Sequence, residues 1–222
     1  MLSGKVTIMM FVTNVICLAL CLMTPAFVSA DPTDNDQRVK VGVHMESLCP
    51  DTRRFFLNQL IPTYREIGNI IDLKLVPFGH ARTLTNNRMI CQHGPRECEG
   101  NRRMACLLSR STNQSEIVET FGCLFKNEES PKDCIIKSMT GVNPDDIEKC
   151  TTADESFQMM VAAEKETGRV GYVPHLTLNG QHSDEIQDQL ENDLKNSICK
   201  HYKGSESINS CKNDPATSVV AT

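Results

Sequence analysis

Cys49 is the residue of this chain with the most reactive chemistry to offer, and it sits in Glu46-Ser47-Leu48-Cys49-Pro50-Asp51-Thr52, directly after the apolar stretch Val39-Lys40-Val41-Gly42-Val43-His44-Met45. A strand that runs into Cys-Pro-X-X and then a helix sets a thiol at a helix N-terminus, where orphan N–H groups and the helix dipole favour the thiolate. In a dithiol site of this kind a second cysteine occupies the fourth position; here it is Thr52. Attack of the Cys49 thiolate on a disulfide gives a mixed disulfide, which a second cysteine would resolve at high effective concentration. Without that local donor the adduct waits for an external thiol, so dithiol turnover is expected to be severely slowed while thiol exchange persists. Thr52, one helical turn on, is placed to donate its hydroxyl to the sulfur, and Asp51 brings a charge that opposes the thiolate.

The elements that must hold Cys49 are legible on either side of it. Residues 39–45 predict a strand, and Pro50 at the first helical position starts a helix carrying Phe55, Phe56, Leu60 and Ile61 until Pro62 disturbs it. Residues 70–77 predict a second strand, parallel to the first because a helix-sized crossover joins them. Gly171-Tyr172-Val173-Pro174-His175-Leu176-Thr177-Leu178-Asn179-Gly180 is a β-rich run interrupted by proline, which places Pro174 at a sheet edge or in a cis bond. Next to a thiol site the cis reading gains weight. A helix is expected over 155–167 with Gly168 as C-cap, its Met159 and Met160 serving as core filler. Asp184 is expected to cap a last helix, with Gln187 three residues on and Ile186, Leu190, Leu194 and Ile198 on one face.

Between about Arg82 and Thr152 the chain changes character. Strand signals are scarce, and short helical stretches are broken by Gly94, Pro95, Gly122, Pro131 and Pro144. The expectation is a helical insertion. It holds six of the cysteines, and their number bears on the compartment. Lys5 is the only charge before Asp31, an apolar run extends from Val6 to about Met23, and Val28-Ser29-Ala30 offers a cleavage site, so residues 1–30 predict an export signal. Removing them from the 222-residue chain leaves 192 residues, with 31–38 as an N-terminal segment, a folded unit over 39–202 and a flexible tail over 203–222. No transmembrane anchor is then expected.

Of the 11 cysteines, Cys17 and Cys21 leave with the signal. An exported chain this rich in cysteine implies disulfides formed in an oxidising compartment. The odd number remaining predicts four bridges among Cys91, Cys98, Cys106, Cys123, Cys134, Cys150, Cys199 and Cys211, with Cys49 free. Eight cysteines allow 105 pairings and none is assigned. The bland alternative has Cys49 as a half-cystine bridged to Cys211 in the tail, which would mask it. No pair of cysteines has the two-residue spacing of a zinc site, so no metal is expected, and no cofactor. Asn113-Gln114-Ser115 is a glycosylation sequon. The net charge of −5 is spread over interspersed acids and bases, which excludes a nucleic-acid footprint and a polybasic membrane face.

Three motifs in order, Cys49-Pro50-Asp51 after a strand, Cys91-Gln92-His93-Gly94-Pro95-Arg96-Glu97-Cys98-Glu99-Gly100-Asn101, and Tyr172-Val173-Pro174 with Asn179-Gly180, resemble the gamma-interferon-inducible lysosomal thiol reductase (GILT) family over about residues 39–201. Cys91, Gln92, His93, Gly94, Glu97, Cys98 and Asn101 match the family signature C-Q-H-G-x-x-E-C-x-x-N. The resemblance implies an α/β, thioredoxin-like fold with a disulfide-stapled helical insertion, and in active members a cysteine pair that reduces disulfides of protein substrates at acidic lumenal pH. Thr52 departs from that pattern, as does His175 where an aromatic residue is usual after the proline. Only Cys49 maps onto a catalytic position.

Two functional expectations result. In the first, the protein is secreted, lacks dithiol reductase activity and uses its stapled fold to bind an extracellular protein partner. In the second, it is a monothiol reductase or isomerase of disulfide-containing proteins, using Cys49 and an external thiol, with an endosomal or lysosomal lumen as the alternative location. His93 is read first as a packing or hydrogen-bonding residue. His44, His80 and His175 approach Cys49 only if the fold is as inferred.

Overall fold

The computed structural model describes residues 37–204 and 209–212; the expected export signal lies outside them. Strand β1 (Val39–Met45) alternates buried and outward residues, with Val39, Val41, Val43 and Met45 in the core. It pairs in parallel with β2 (Ile71–Pro77), from Val39 opposite Ile71 to Met45 opposite Pro77. On its other edge it pairs antiparallel with β5 (His175–Leu178), His44 facing His175. The order is β2-β1-β5, so the strand that delivers Cys49 is braced on both edges.

The crossover between β1 and β2 begins with α1 (Pro50–Phe55) and does not stop at Pro62. A π turn over Phe56–Leu60 follows, and α2 (Ile61–Ile67) continues the helix. Pro62 lacks an amide hydrogen, and the change of hydrogen-bond register just before it is where a missing donor costs least. The extra length lets Phe56 point inward against Phe125, ring centroids 4.7 Å apart, and Phe121, 6.3 Å apart.

The insertion is not purely helical. A hairpin, β3 (Arg82–Leu84) and β4 (Arg88–Ile90), opens it, turning through Asn86 and Asn87 at φ 64° and 55°. Asparagine tolerates the left-handed region, but two three-residue strands without an Asn-Gly turn give little sequence signal. Then come α3 (Pro95–Arg110), α4 (Gln114–Lys126), α5 (Pro131–Ser138), α6 (Pro144–Thr152) and α7 (Asp154–Thr167). Asn113, Ser130 and Asn143 cap α4, α5 and α6 through their side chains. Cys106–Cys150 ties α3 to α6, Cys123–Cys134 ties α4 to α5, and Cys91–Cys98 closes the loop entering α3.

The last helical segment departs from expectation in two places. Its N-cap is Ser183, whose Oγ accepts from the Ile186 N–H at 3.1 Å, rather than Asp184. It also breaks at Asp193 into α8 (Asp184–Asn192) and α9 (Leu194–His201), with Leu190, Leu194 and Ile198 still buried. Within the predicted tail, α10 (Asn209–Lys212) carries Cys211, which is bonded to Cys199. The masking bridge between Cys49 and Cys211 is therefore not formed. No helix among the described residues is long and apolar enough to cross a membrane.

Candidate functional site

Cys49 occupies the N-cap of α1, and its carbonyl accepts from the Arg53 N–H at 3.0 Å. Among the described residues it is the free cysteine, and it is 6% exposed. Its Sγ–H donates to the Val173 carbonyl at 3.6 Å, and Val173–Pro174 is a cis peptide bond. Two chain segments 124 residues apart thus meet at the sulfur. The contact anticipated between Thr52 and the sulfur is not made: Thr52 is fully buried, and its hydroxyl has no hydrogen-bond partner among the described residues. The thiol donates instead to a backbone carbonyl, and the Thr52 hydroxyl donates to nothing among the described residues. Asp51 is drawn outward by an ion pair with Arg54 at 2.8 Å, away from the sulfur.

A residue that the sequence does not mark as functional secures the proline loop. Gln187 is buried; its Nε2 donates to the Pro174 carbonyl at 2.8 Å and its Oε1 accepts from the Leu176 N–H at 2.9 Å. Read locally it is a capping partner, and only the tertiary fold brings it to the loop. His175, between those two anchors, stacks on His182 with centroids 3.8 Å apart and faces His44 across the strand pair. Burial, and then the nearness of His182 and His44, pushes its imidazole down to about 4. Burial also lowers His44, whose Nδ1 meets the Thr167 hydroxyl at 3.1 Å.

The signature segment forms a brace under the loop that carries Cys49. Asn101, fully buried, accepts from the Ser47 N–H at 2.8 Å through Oδ1, and Ser47 Oγ donates to the Glu97 carbonyl at 3.0 Å. Gly100 lets α3 approach this closely, since a Cβ there would collide with Ser47. Glu46 is fully buried, and its Oε1 accepts from the His80 N–H at 2.7 Å. The preceding Gly79, at φ 61°, is needed because a side chain would strike the Glu46 carboxyl. His93 Nδ1 lies 2.5 Å from Glu97 Oε2 and 3.3 Å from Glu46 Oε2, while the His93 N–H donates to Glu97 Oε1. Burial, opposed by the His80 hydrogen bond and reinforced by Glu97, pushes the Glu46 carboxyl up to about 7. Cys91–Cys98 closes this segment, Gly94 at φ 85° turns it into α3, and Gln92 remains exposed.

Donor atoms of Glu46, His93 and Glu97 lie within 4.8 Å of one another, a set able to hold a cation; hydrogen bonds already engage Glu46 Oε1 and both Glu97 oxygens, while Glu46 Oε2 is buried without a hydrogen-bond partner among the described residues, 3.3 Å from His93 Nδ1. Cys123 and Cys134, grouped with Glu129, are consumed by their disulfide. Asn113 is exposed and uses Oδ1 to cap α4. A cavity of about 260 Å³ opens beside Cys49, lined by Leu48, Arg53, Leu124, Phe125 and Lys126 among others. Larger clefts of about 670 and 450 Å³ lie beside Tyr64 and Ile61 and contain no free thiol.

The family model described as gamma interferon inducible lysosomal thiol reductase (GILT) matches residues 40–141. The chain is similar to the gamma-interferon-inducible lysosomal thiol reductase of Carassius auratus, 34% identical over 180 residues, covering 77% of this chain and 71% of that protein. The mouse protein of the same name is 28% identical over 202 residues, covering 86% and 77%. Among solved structures, oxidised BdbD from Bacillus subtilis superposes with a TM-score of 0.54 at 14% identity, covering 77% of this chain and 90% of that one. That likeness shows the fold, which is thioredoxin-like.

Proposed function

Since the chain belongs to the gamma-interferon-inducible lysosomal thiol reductase family, we propose that it is an exported thiol–disulfide exchange protein in which Cys49 acts alone on disulfide-containing proteins. The observation that carries this reading is the free Cys49 thiol at the start of α1, facing the Val173–Pro174 segment. The signal-like residues 1–30, the Asn113 sequon and the disulfides support a secreted or endosomal–lysosomal location.

The Cys49 thiolate attacks one sulfur of a substrate disulfide, forming a mixed disulfide and releasing the other sulfur as a thiolate. Release of Cys49 then requires an external thiol, because Thr52 has no sulfur to offer. The site is accordingly deficient in dithiol reduction. A second reading, a secreted binding or modulatory protein, is favoured by the inward-turned, 6% exposed thiol.

The test mixes native, unreduced mature protein, its disulfides intact and Cys49 free, with a disulfide-bonded protein substrate and follows adducts by intact mass. The exchange reading predicts one stable adduct on Cys49, absent in Cys49→Ser, and multiple turnovers only after a small thiol is added. Absence of any adduct would leave the binding reading.

A further inference from the structure

We propose that the cavity beside Cys49 is a subsite for a small anionic thiol, the external reductant that a one-cysteine site requires; this rests on the single-cysteine reading above. The cavity opens on Cys49 itself and has a volume of about 260 Å³. That lies below the roughly 300–1,000 Å³ of sites for drug-sized ligands and suits a thiol of amino-acid to tripeptide size.

Its charge selects the ligand. Arg53 and Lys126 line it, and no carboxylate does, although acids outnumber bases in the chain, 28 to 23. Arg53 is not a wandering surface charge. Its Nε donates to the Phe125 carbonyl at 2.7 Å, which fixes the guanidinium one turn along α1 from Cys49 and leaves its terminal nitrogens for a carboxylate. Three nearby acids are ion-paired elsewhere, Asp51 with Arg54, Glu119 with Arg65 and Glu129 with Lys137, while Glu119 and Glu128 share the neighbouring cleft with Lys126 and stand outside the cavity lining. Leu48, Leu124 and Phe125 add an apolar wall for the aliphatic part of the ligand.

The cycle balances with two equivalents of the thiol. After Cys49 has formed a mixed disulfide with the substrate, a first thiolate in the cavity attacks Cys49 Sγ. The bond to the substrate breaks, the substrate leaves as its thiolate, and Cys49 is left disulfide-bonded to the small thiol. A second thiolate attacks the small thiol's sulfur, giving the small-molecule disulfide and regenerating the Cys49 thiolate. One substrate disulfide is reduced to two thiols as two small thiols are oxidised.

The experiment loads Cys49 with a neutral 2-thiopyridyl group and follows release of pyridine-2-thione by glutathione, mercaptosuccinate, 2-mercaptoethanol and cysteamine at equal thiolate concentrations. A 2-thiopyridyl cysteine peptide supplies the intrinsic order of rates. Relative to that peptide, the protein should favour the anionic thiols over cysteamine by about tenfold at low salt, the lower end of electrostatic focusing in charged clefts. The preference should shrink at high salt and be lost in Lys126→Glu, an exposed change, with Arg53→Gln as a second variant. The peptide's order of rates reproduced in the protein overturns the subsite and leaves the single-cysteine reading standing. Failure of native Cys49 to take up the 2-thiopyridyl group overturns both.

Discussion

Replacing Glu46 by Gln should change how the protein's stability depends on pH, by an amount the structure sets. Glu46 is fully buried beside Glu97 and His93, with one oxygen on the His80 N–H. Its carboxyl is raised from 4.5 to about 7, chiefly by burial. Below pH 4.5 both folded and unfolded chains hold the proton, and the stabilising contribution is fully present. Between 4.5 and 7 only the folded state holds it, so stability falls as pH rises. Above 7 both states are ionised and the contribution is gone. At about 1.4 kcal/mol per unit, the full window is worth at most about 3 kcal/mol. His175, depressed to about 4, works in the opposite direction below 6.5 but is present in both proteins and cancels in their difference. The amide of the Glu46→Gln variant keeps an acceptor for the His80 N–H and cannot ionise. Urea unfolding from pH 4.5 to 7.5, disulfides intact, should therefore show the wild type losing up to about 3 kcal/mol relative to the variant. A difference constant within about 0.5 kcal/mol would refute a buried Glu46 carboxyl that keeps its proton up to about pH 7 in the folded state.

Thr52→Val removes a buried hydroxyl that has no partner among the described residues and should raise stability by up to about 1–2 kcal/mol in the same denaturant assay. Thr52→Cys puts a second thiol one helical turn from Cys49 and should yield a reversible disulfide and faster turnover of a disulfide substrate, read by mass and by reductase rate. Asn101→Ala leaves the Ser47 N–H without its acceptor and should cost about 1–3 kcal/mol while speeding hydrogen exchange over residues 46–49. The double change Cys106→Ala with Cys150→Ala opens a loop whose ends are 44 residues apart and should cost about 4 kcal/mol by chain entropy, measured as a fall in the urea midpoint.

The parts of this architecture that sequence exposes are those with local periodicity. β1 and β2 alternate, α1 announces itself with Pro50, and the Cys49-Pro50 junction needs no tertiary knowledge. Contacts between distant segments are what it hides. Gln187 looks like a capping partner until the fold delivers it to Pro174 and Leu176. Asn101 and Glu97 stand in a recognisable motif, but their work on Ser47 depends on α3 packing across a gap of about fifty residues. The same holds for the Thr52 hydroxyl. Its sequence spacing suggests a contact with the sulfur, while the fold buries it without a partner among the described residues and gives the thiol to Val173, far along the chain. Weak local signals account for the rest: the hairpin at Asn86-Asn87 has strands of three residues, and the break at Asp193 interrupts an otherwise unbroken apolar stripe.

The most direct test of the single-cysteine account is alkylation of the native, unreduced mature protein, with mass-spectrometric mapping of the labelled residue. The account predicts one label per chain, on Cys49, with the disulfide-bonded cysteines untouched and Cys49→Ser unlabelled. A Cys49 that stays unlabelled until the chain is unfolded, or a label found on another cysteine, would contradict it.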